Sequence, residues 1–224
     1  MIKNNIRRES YLKFLNTWKN RDLIKVLSGV RRSGKSTLLV MFQQDLKEQG
    51  VQDENIIAIN FEYMEFEELT DYRKLHDYVL SKVDKNKKNY VFLDEIQHVQ
   101  NFEKVVDSLY IRDYIDLYIT GSNAFFLSGE LATLLTGRYI EQHVLPLSFQ
   151  EFKQWHTENN PTIQQLSNRD LYAMYTRSSF PYTLAMTNQQ ETYDYLQAVY
   201  ASVMFKETKM FFISEEYCRA KFDI

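Results

Sequence analysis

The stretch Gly29-Val-Arg-Arg-Ser-Gly34-Lys35-Ser36-Thr37 constrains this chain more than any other. Ahead of it stand Leu23-Ile-Lys-Val-Leu-Ser28, apolar and strand-forming. Behind it Leu38, Leu39, Phe42 and Leu46 recur on one helical face as far as Gln49, and Gly50 follows as a residue suited to end a helix. Strand, glycine loop and helix in that order is the setting that the pattern G-x-x-x-x-G-K-[ST] requires. Gly29 and Gly34 permit a sharp turn and a close backbone approach, so that the N–H groups of Arg31, Arg32 and Ser33 and the positive end of the helix face an anion. Lys35 can then reach the β- and γ-phosphates of a nucleoside triphosphate. Ser36, followed by Thr37, offers a hydroxyl to Mg²⁺, a hard cation that takes its other ligands from water and phosphate oxygens. Coincidence would produce the bare pattern in roughly one chain in a hundred of this length, and the strand before it and the helix after it weigh further against coincidence.

Tyr90-Val-Phe-Leu-Asp94-Glu95 is the second informative stretch. Four strand formers followed by two carboxylates fit a site where the first acid, Asp94, holds Mg²⁺ and the second, Glu95, activates water. The competing reading is a buried strand with a polar end. Ile56-Ile-Ala-Ile-Asn60-Phe-Glu62 and Leu117-Tyr-Ile-Thr120-Gly-Ser122-Asn123 are two more apolar runs with polar ends. Helical periodicity lies between the runs, over Asp71 to Val83 and Phe102 to Leu109. Strands alternating with helices imply a parallel sheet, whose ligand site lies at the carboxyl ends of the strands. Asn60, Asp94, Glu95, Ser122 and Asn123 therefore converge on the edge that carries the glycine loop.

The rest of the chain is expected to support this unit. Tyr11, Leu12, Phe14, Leu15 and Trp18 predict an N-terminal helix, with Arg7 and Arg8 at its start either near nucleotide or solvated. A short helix is expected over Ser128 to Thr136, then Gly137-Arg138-Tyr139 and a strand from Ile140 to Leu145. Pro146, Pro161 and Pro181 all fall in the last third. We therefore expect a nucleotide-binding domain over residues 1–147 and a small helical region over 148–224, opened by a capping box of Ser148 and Glu151 and continued by helices over Asn168 to Tyr175 and Gln190 to Glu207. A net charge of −3 gives no strong global field toward nucleic acid or anionic membrane. Cys218 stands alone, the start lacks the apolar core of a signal peptide, and no run approaches the ~18 apolar residues of a membrane span. A cytoplasmic protein without a membrane partner is expected. His76, His98, His143 and His156 lack the spacing of a zinc site.

Taken together, the residues resemble a prokaryotic AAA+-type ATPase family. The resemblance rests on Gly-Val-Arg-Arg-Ser-Gly-Lys-Ser-Thr at Gly29, Ile-Asn-Phe-Glu at Ile59, Phe-Leu-Asp-Glu-Ile-Gln at Phe92, Tyr-Ile-Thr-Gly-Ser-Asn at Tyr118, Thr-Gly-Arg-Tyr at Thr136 and Leu-Pro-Leu-Ser-Phe at Leu145. It implies an α/β P-loop NTPase fold of the additional-strand type (AAA+/ASCE): a parallel sheet flanked by helices, with the Leu117 strand between those of the phosphate loop and of Asp94. It further implies Ser122 or Asn123 as a sensor beside the γ-phosphate, Asn60 as a switch residue hydrogen-bonding Glu95, and Arg138 as an arginine finger or sensor. Ser178-Ser179-Phe180-Pro181 departs from the Gly-Gly-Phe-Pro of the family. The family also continues into further C-terminal domains, so a truncated chain is expected. The function implied is Mg-ATP hydrolysis driving a conformational change, in a possible homo-oligomer with a protein or DNA partner left open. The alternatives are a nucleotide-regulated binding module and a relic with negligible turnover.

Overall fold

The computed structural model describes residues 6–121, 135, 137–160, 166–186 and 188–201. The chain divides into two compact units. One comprises Arg7–Gly29 and Gly34–Val144, and the other includes Val30–Ser33 and the chain from Leu145 onward.

The first unit is built on a five-stranded parallel sheet. Helix α1 (Glu9–Trp18) leads into β1 (Ile24–Ser28), and α2 (Lys35–Glu48) follows the glycine loop. Then come β2 (Ile56–Asn60), α3 (Tyr72–Lys82), β3 (Asn89–Asp94), α4 (Phe102–Tyr110), β4 (Ile115–Thr120) and β5 (Tyr139–His143). The strand order is β2-β3-β4-β1-β5, so β4 separates the phosphate-loop strand from the strand that ends in Asp94, as the resemblance implied. β1, β3 and β4 are buried along their whole length. That explains their near-continuous apolar runs, because helices cover both faces of an inner parallel strand.

Alternation along the strands splits the core. Ile24, Val26, Leu93, Leu117 and Ile119 face α3 and α4, meeting Leu75, Val79, Val105, Val106 and Leu109. Leu27, Phe92 and Tyr118 face α1 and α2, meeting Leu12, Leu15, Leu38, Leu39, Phe42 and Leu46. On that second face Phe92 stacks on Tyr118 with ring centroids 4.8 Å apart, and Phe42 leans on Tyr118 at 5.3 Å. Truncating a ring such as Phe42 in so dense a cluster would cost about 3–5 kcal/mol. Local chemistry sets the helix ends. The Asp71 carboxylate accepts from the N–H groups of Arg73 and Lys74 at the start of α3. After α2, Gly50 takes φ +92°, its N–H reaches Lys47 O at 2.9 Å and Val51 N–H reaches Leu46 O at 3.0 Å, which places the expected glycine at a left-handed helix stop.

The second unit is helical. Its elements are α5 (Phe149–Asn159), α6 (Asn168–Tyr175) and α7 (residues 189–201). The capping box of Ser148 and Glu151 is present. Ile6, Leu147, Phe152, Trp155 and Leu184 form its core. His156 is buried against the rings of Phe152 and Trp155, and burial lowers its pKa. Ser178, where the resemblance implied glycine, is buried, and its hydroxyl accepts from Phe180 N–H at 3.3 Å and from the Thr183 hydroxyl at 2.7 Å. The hydroxyl thus stabilises the turn before Pro181. The helix expected over Ser128 to Thr136 and the end of that over Gln190 to Glu207 lie outside the described residues.

Candidate nucleotide site at the carboxyl edge of the sheet

The in-register pairing of the parallel strands brings the polar ends of β2, β3 and β4 to one edge. Asn60 pairs with Asp94, Leu93 with Ile119, and Leu27 of β1 with Thr120, so that Asn60, Asp94 and Thr120 lie in a row beside the carboxyl end of β1. The loop backbone has the form that the glycines predicted. Gly29 and Gly34 adopt φ of +145° and +98°, and Arg32 between them takes the left-handed region at +69°. Ser33 N–H turns back to Val30 O at 3.2 Å. Gly34 N-caps α2 and offers it no side-chain cap.

Lys35 is buried, with its ammonium 3.1 Å from Gly29 O and 3.5 Å from Glu95 Oε1. Asp94 is buried as well. Its Oδ2 accepts from Asn60 Nδ2 at 2.8 Å, its Oδ1 accepts from the Thr120 hydroxyl, and Ser36 is a further hydrogen-bond partner. Burial pushes the Asp94 carboxyl above the usual carboxylate range, opposed by the Thr120 and Ser36 bonds. One buried carboxylate in contact with a serine hydroxyl is an all-oxygen donor set, which suits a hard divalent cation that keeps water and phosphate as its other ligands. Ser36 and Asp94 therefore fit Mg²⁺.

Asn60 departs from expectation. Its amide donates to Asp94 rather than to Glu95, and its Oδ1 accepts from Glu62 N–H at 2.8 Å. The pairing register explains this, since Asn60 lies directly opposite Asp94. Glu95 lies one residue past the strand, in the left-handed region at φ 58° and ψ 50°. Its N–H donates to Thr120 Oγ1 at 2.9 Å, and its Oε2 accepts from Gln97 Nε2. Thr120, fully buried, thus receives the Glu95 N–H and donates to Asp94 with a single hydroxyl. Neither Thr120 nor Gln97 was among the expected site residues. The signal for Thr120 was a polar residue closing an apolar strand beside the Asp94 strand, and that for Gln97 its place in the Asp-Glu-Ile-Gln turn.

Arg138 is elsewhere. Its carbonyl accepts from Ile24 N–H at 2.8 Å, so it stands at the amino end of the sheet. The phosphate loop starts beyond all of β1, about 16 Å away at ~3.3 Å per residue. The Arg138 guanidinium pairs with Asp107 and lies 5.9 Å from the Tyr110 ring centroid. Ser122 and Asn123, the expected sensor residues, lie outside the described residues.

A family model described as an AAA domain matches residues 21–153, which hold the sheet and every described residue of this edge. The chain belongs to the AAA family. Its nucleotide-binding fold is that of a P-loop ATPase. An uncharacterized protein of Haemophilus influenzae is 40% identical over 209 residues, covering 92% of this chain and 51% of its own length. This AAA domain chain thus spans about half the length of that relative. Among solved structures, the Walker-type ATPase of Pyrococcus abyssi is similar in fold at TM-score 0.58 and 16% identity, over 97% of this chain and 80% of that one. Cdc6p of Pyrobaculum aerophilum is similar at TM-score 0.55 and 13% identity, over 89% of this chain and 63% of that one. Among the described residues, no helix is long and apolar enough to cross a membrane.

Proposed function

We propose that this AAA domain binds Mg-ATP at Gly29 to Thr37 and hydrolyses it, and that the loss of the γ-phosphate drives a conformational change. The observation that carries the reading is the contact set at the carboxyl edge. Lys35 and Ser36 at the start of α2, Asp94 and Glu95 at the end of β3, and Thr120 at the end of β4 meet within one group of contacts. A purely structural strand end would not need an ammonium, two carboxylates and a helix N-terminus together.

In this reading the loop N–H groups and Lys35 bind the β- and γ-phosphates. Ser36 and Asp94 hold Mg²⁺, which when bound neutralises charge on the phosphate oxygens. Glu95 accepts a proton from the attacking water as the water oxygen bonds to the γ-phosphorus and the bond to the ADP oxygen breaks. Lys35, now 3.5 Å from Glu95, exchanges that carboxylate for phosphate. Asn60 steadies Asp94 and does not contact Glu95. Ser122 or Asn123 serves as the γ-phosphate sensor, and Arg138 acts on the nucleotide of a neighbouring copy in a homo-oligomer. The domain division at residue 147 and a protein or DNA partner belong to the same proposal.

Phosphate release by the wild type, Lys35→Ala and Glu95→Gln tests it. Turnover should be measurable in the wild type alone, with ATP binding kept in Glu95→Gln and lost in Lys35→Ala. Equal turnover in wild type and Glu95→Gln would falsify the role of Glu95. ATP binding with no turnover in either would leave a nucleotide-regulated binding module.

A further inference from the structure

Gln97 has no task in the reaction above, yet it hydrogen-bonds the Glu95 carboxylate. After the left-handed turn at Glu95, the chain winds into one 3₁₀ turn over Ile96–His98, with His98 N–H on Glu95 O at 3.2 Å. This turn folds the Gln97 side chain back, so that its Nε2 donates to Glu95 Oε2. Its carbonyl Oε1 is buried and has no hydrogen-bond partner among the described residues. A buried acceptor left unpaired is unfavourable, and few native groups are left so. Turning the carboxamide over would not help, because the carbonyl would then face a carboxylate that can only accept. The charge-assisted bond to Glu95 therefore holds the amide where it is, and an unpaired carbonyl is the consequence.

The two contacts on Glu95 differ in what nucleotide does to them. Oε1 faces Lys35 across 3.5 Å, and Lys35 is the group that the phosphates claim. Oε2 faces Gln97, a neutral amide with nothing to gain from phosphate. We propose that Gln97 is the positioning residue of Glu95, which keeps the carboxylate oriented toward the attacking water once ATP has drawn Lys35 away. This inference rests on the reading of Glu95 as the proton acceptor.

The test compares wild type, Gln97→Met, Gln97→Glu and Glu95→Gln in single-turnover hydrolysis of Mg-ATP, with ATP affinity and melting temperature measured for each. Gln97→Met keeps the length and removes the donor, so the rate should fall about ten- to a hundred-fold with affinity and melting temperature near wild type. Gln97→Glu sets carboxylate against carboxylate and should fall at least as far. In the Glu95→Gln background, Gln97→Met should take nothing further from the residual rate, because it acts through Glu95. A wild-type rate in Gln97→Met overturns the inference. So does a rate loss matched by a loss of ATP affinity or of folding, or a further loss in the Glu95→Gln background. Glu95→Gln inactive beside an intact Gln97→Met ends this inference alone. Glu95→Gln as active as wild type, or a wild type without turnover, ends the reading of Glu95 and this inference with it.

Discussion

Two lysine–carboxylate pairs stand at opposite ends of one sheet, and they are built differently. At the amino end, Lys25 and Asp116 are the second residues of β1 and β4, with side chains 0% and 1% exposed and in direct contact. Every group there is answered. Lys25 also donates to Arg21 O at 2.8 Å, and Asp116 Oδ2 accepts from Asn20 N–H at 2.9 Å and from the Tyr118 hydroxyl at 2.8 Å. Burial still pulls the Lys25 ammonium below the ordinary lysine range, against the pull of Asp116. At the carboxyl end, Lys35 and Glu95 meet across 3.5 Å, and the Glu95 side chain is 13% exposed. A buried, close pair locks two strands together, whereas the longer contact at the carboxyl edge is the one proposed to be exchanged for phosphate. Burial is common to both, so burial alone does not tell a functional charge from a structural one. The two pairs differ in how closely they meet and in which end of the sheet they occupy.

Arg138 is the strongest challenge to this division, because it stands at the structural end and is proposed to do chemistry. Its pairing with Asp107 is the arrangement of an ordinary surface arginine, the guanidinium being 45% exposed. A finger acting on a neighbouring copy should be worth ~10³–10⁵ in rate. Arg138→Ala should then bind ATP and hydrolyse it poorly, turnover per subunit should rise with protein concentration, and mixing Arg138→Ala with Glu95→Gln should restore part of the activity. Concentration-independent turnover without complementation returns Arg138 to the surface pair with Asp107. The amino end would then be structural throughout.

The close pair at the amino end makes the next largest prediction. Lys25→Met or Asp116→Asn alone leaves a buried partner unanswered and should destabilise the fold by about 3–5 kcal/mol. Replacing both with apolar residues of matched volume should recover most of that loss. Chemical denaturation measures each. Phosphate release per folded molecule should not change, and a loss of turnover in the stable double variant would show that the two ends of the sheet are coupled.

The sequence made the carboxyl end far more legible than the amino end. Gly29, Gly34, Lys35, Asp94 and Glu95 could be read because each carries chemistry at a fixed offset from a strand or helix boundary. Strand order followed from the resemblance and not from periodicity, which cannot say which strands are neighbours. Lys25 and Asp116 were passed over as polar residues inside apolar runs, although opposite charges near the start of two strands were the available signal. Asn60 was placed on the right edge and given the wrong partner, because a one-residue difference in register separates Asp94 from Glu95. Thr120 and Gln97 act through hydrogen bonds to neighbours in space or across a turn, which composition and period do not encode.

Lys35→Ala tests the exchangeable pair. ATP at a hundred times its dissociation constant should stabilise the wild type by about 2.7 kcal/mol. The variant should lose that shift, while its nucleotide-free stability changes much less than that of Lys25→Met. A large loss of nucleotide-free stability would mean that the 3.5 Å contact is structural after all.

The smallest effect belongs to a third pair, which separates burial from geometry. Arg7 makes a two-pronged contact with Asp45 of α2, at 2.8 and 2.9 Å, and also meets Glu9 at 2.7 Å. The geometry is that of a bidentate ion pair, and it fastens the start of α1 to α2. The Arg7 side chain is 50% exposed, so water competes for it and salt screens it. Arg7→Gln should therefore cost no more than about 1 kcal/mol. The difference between wild type and variant should also shrink as salt is raised from 0.05 to 1 M, on the order of the Debye length falling to 3 Å. The loss in Lys25→Met should hardly respond, because no mobile ion enters a fully buried pair. An Arg7→Gln loss as large and as salt-resistant as that of Lys25→Met would show that contact geometry, rather than removal from solvent, sets the strength of these pairs.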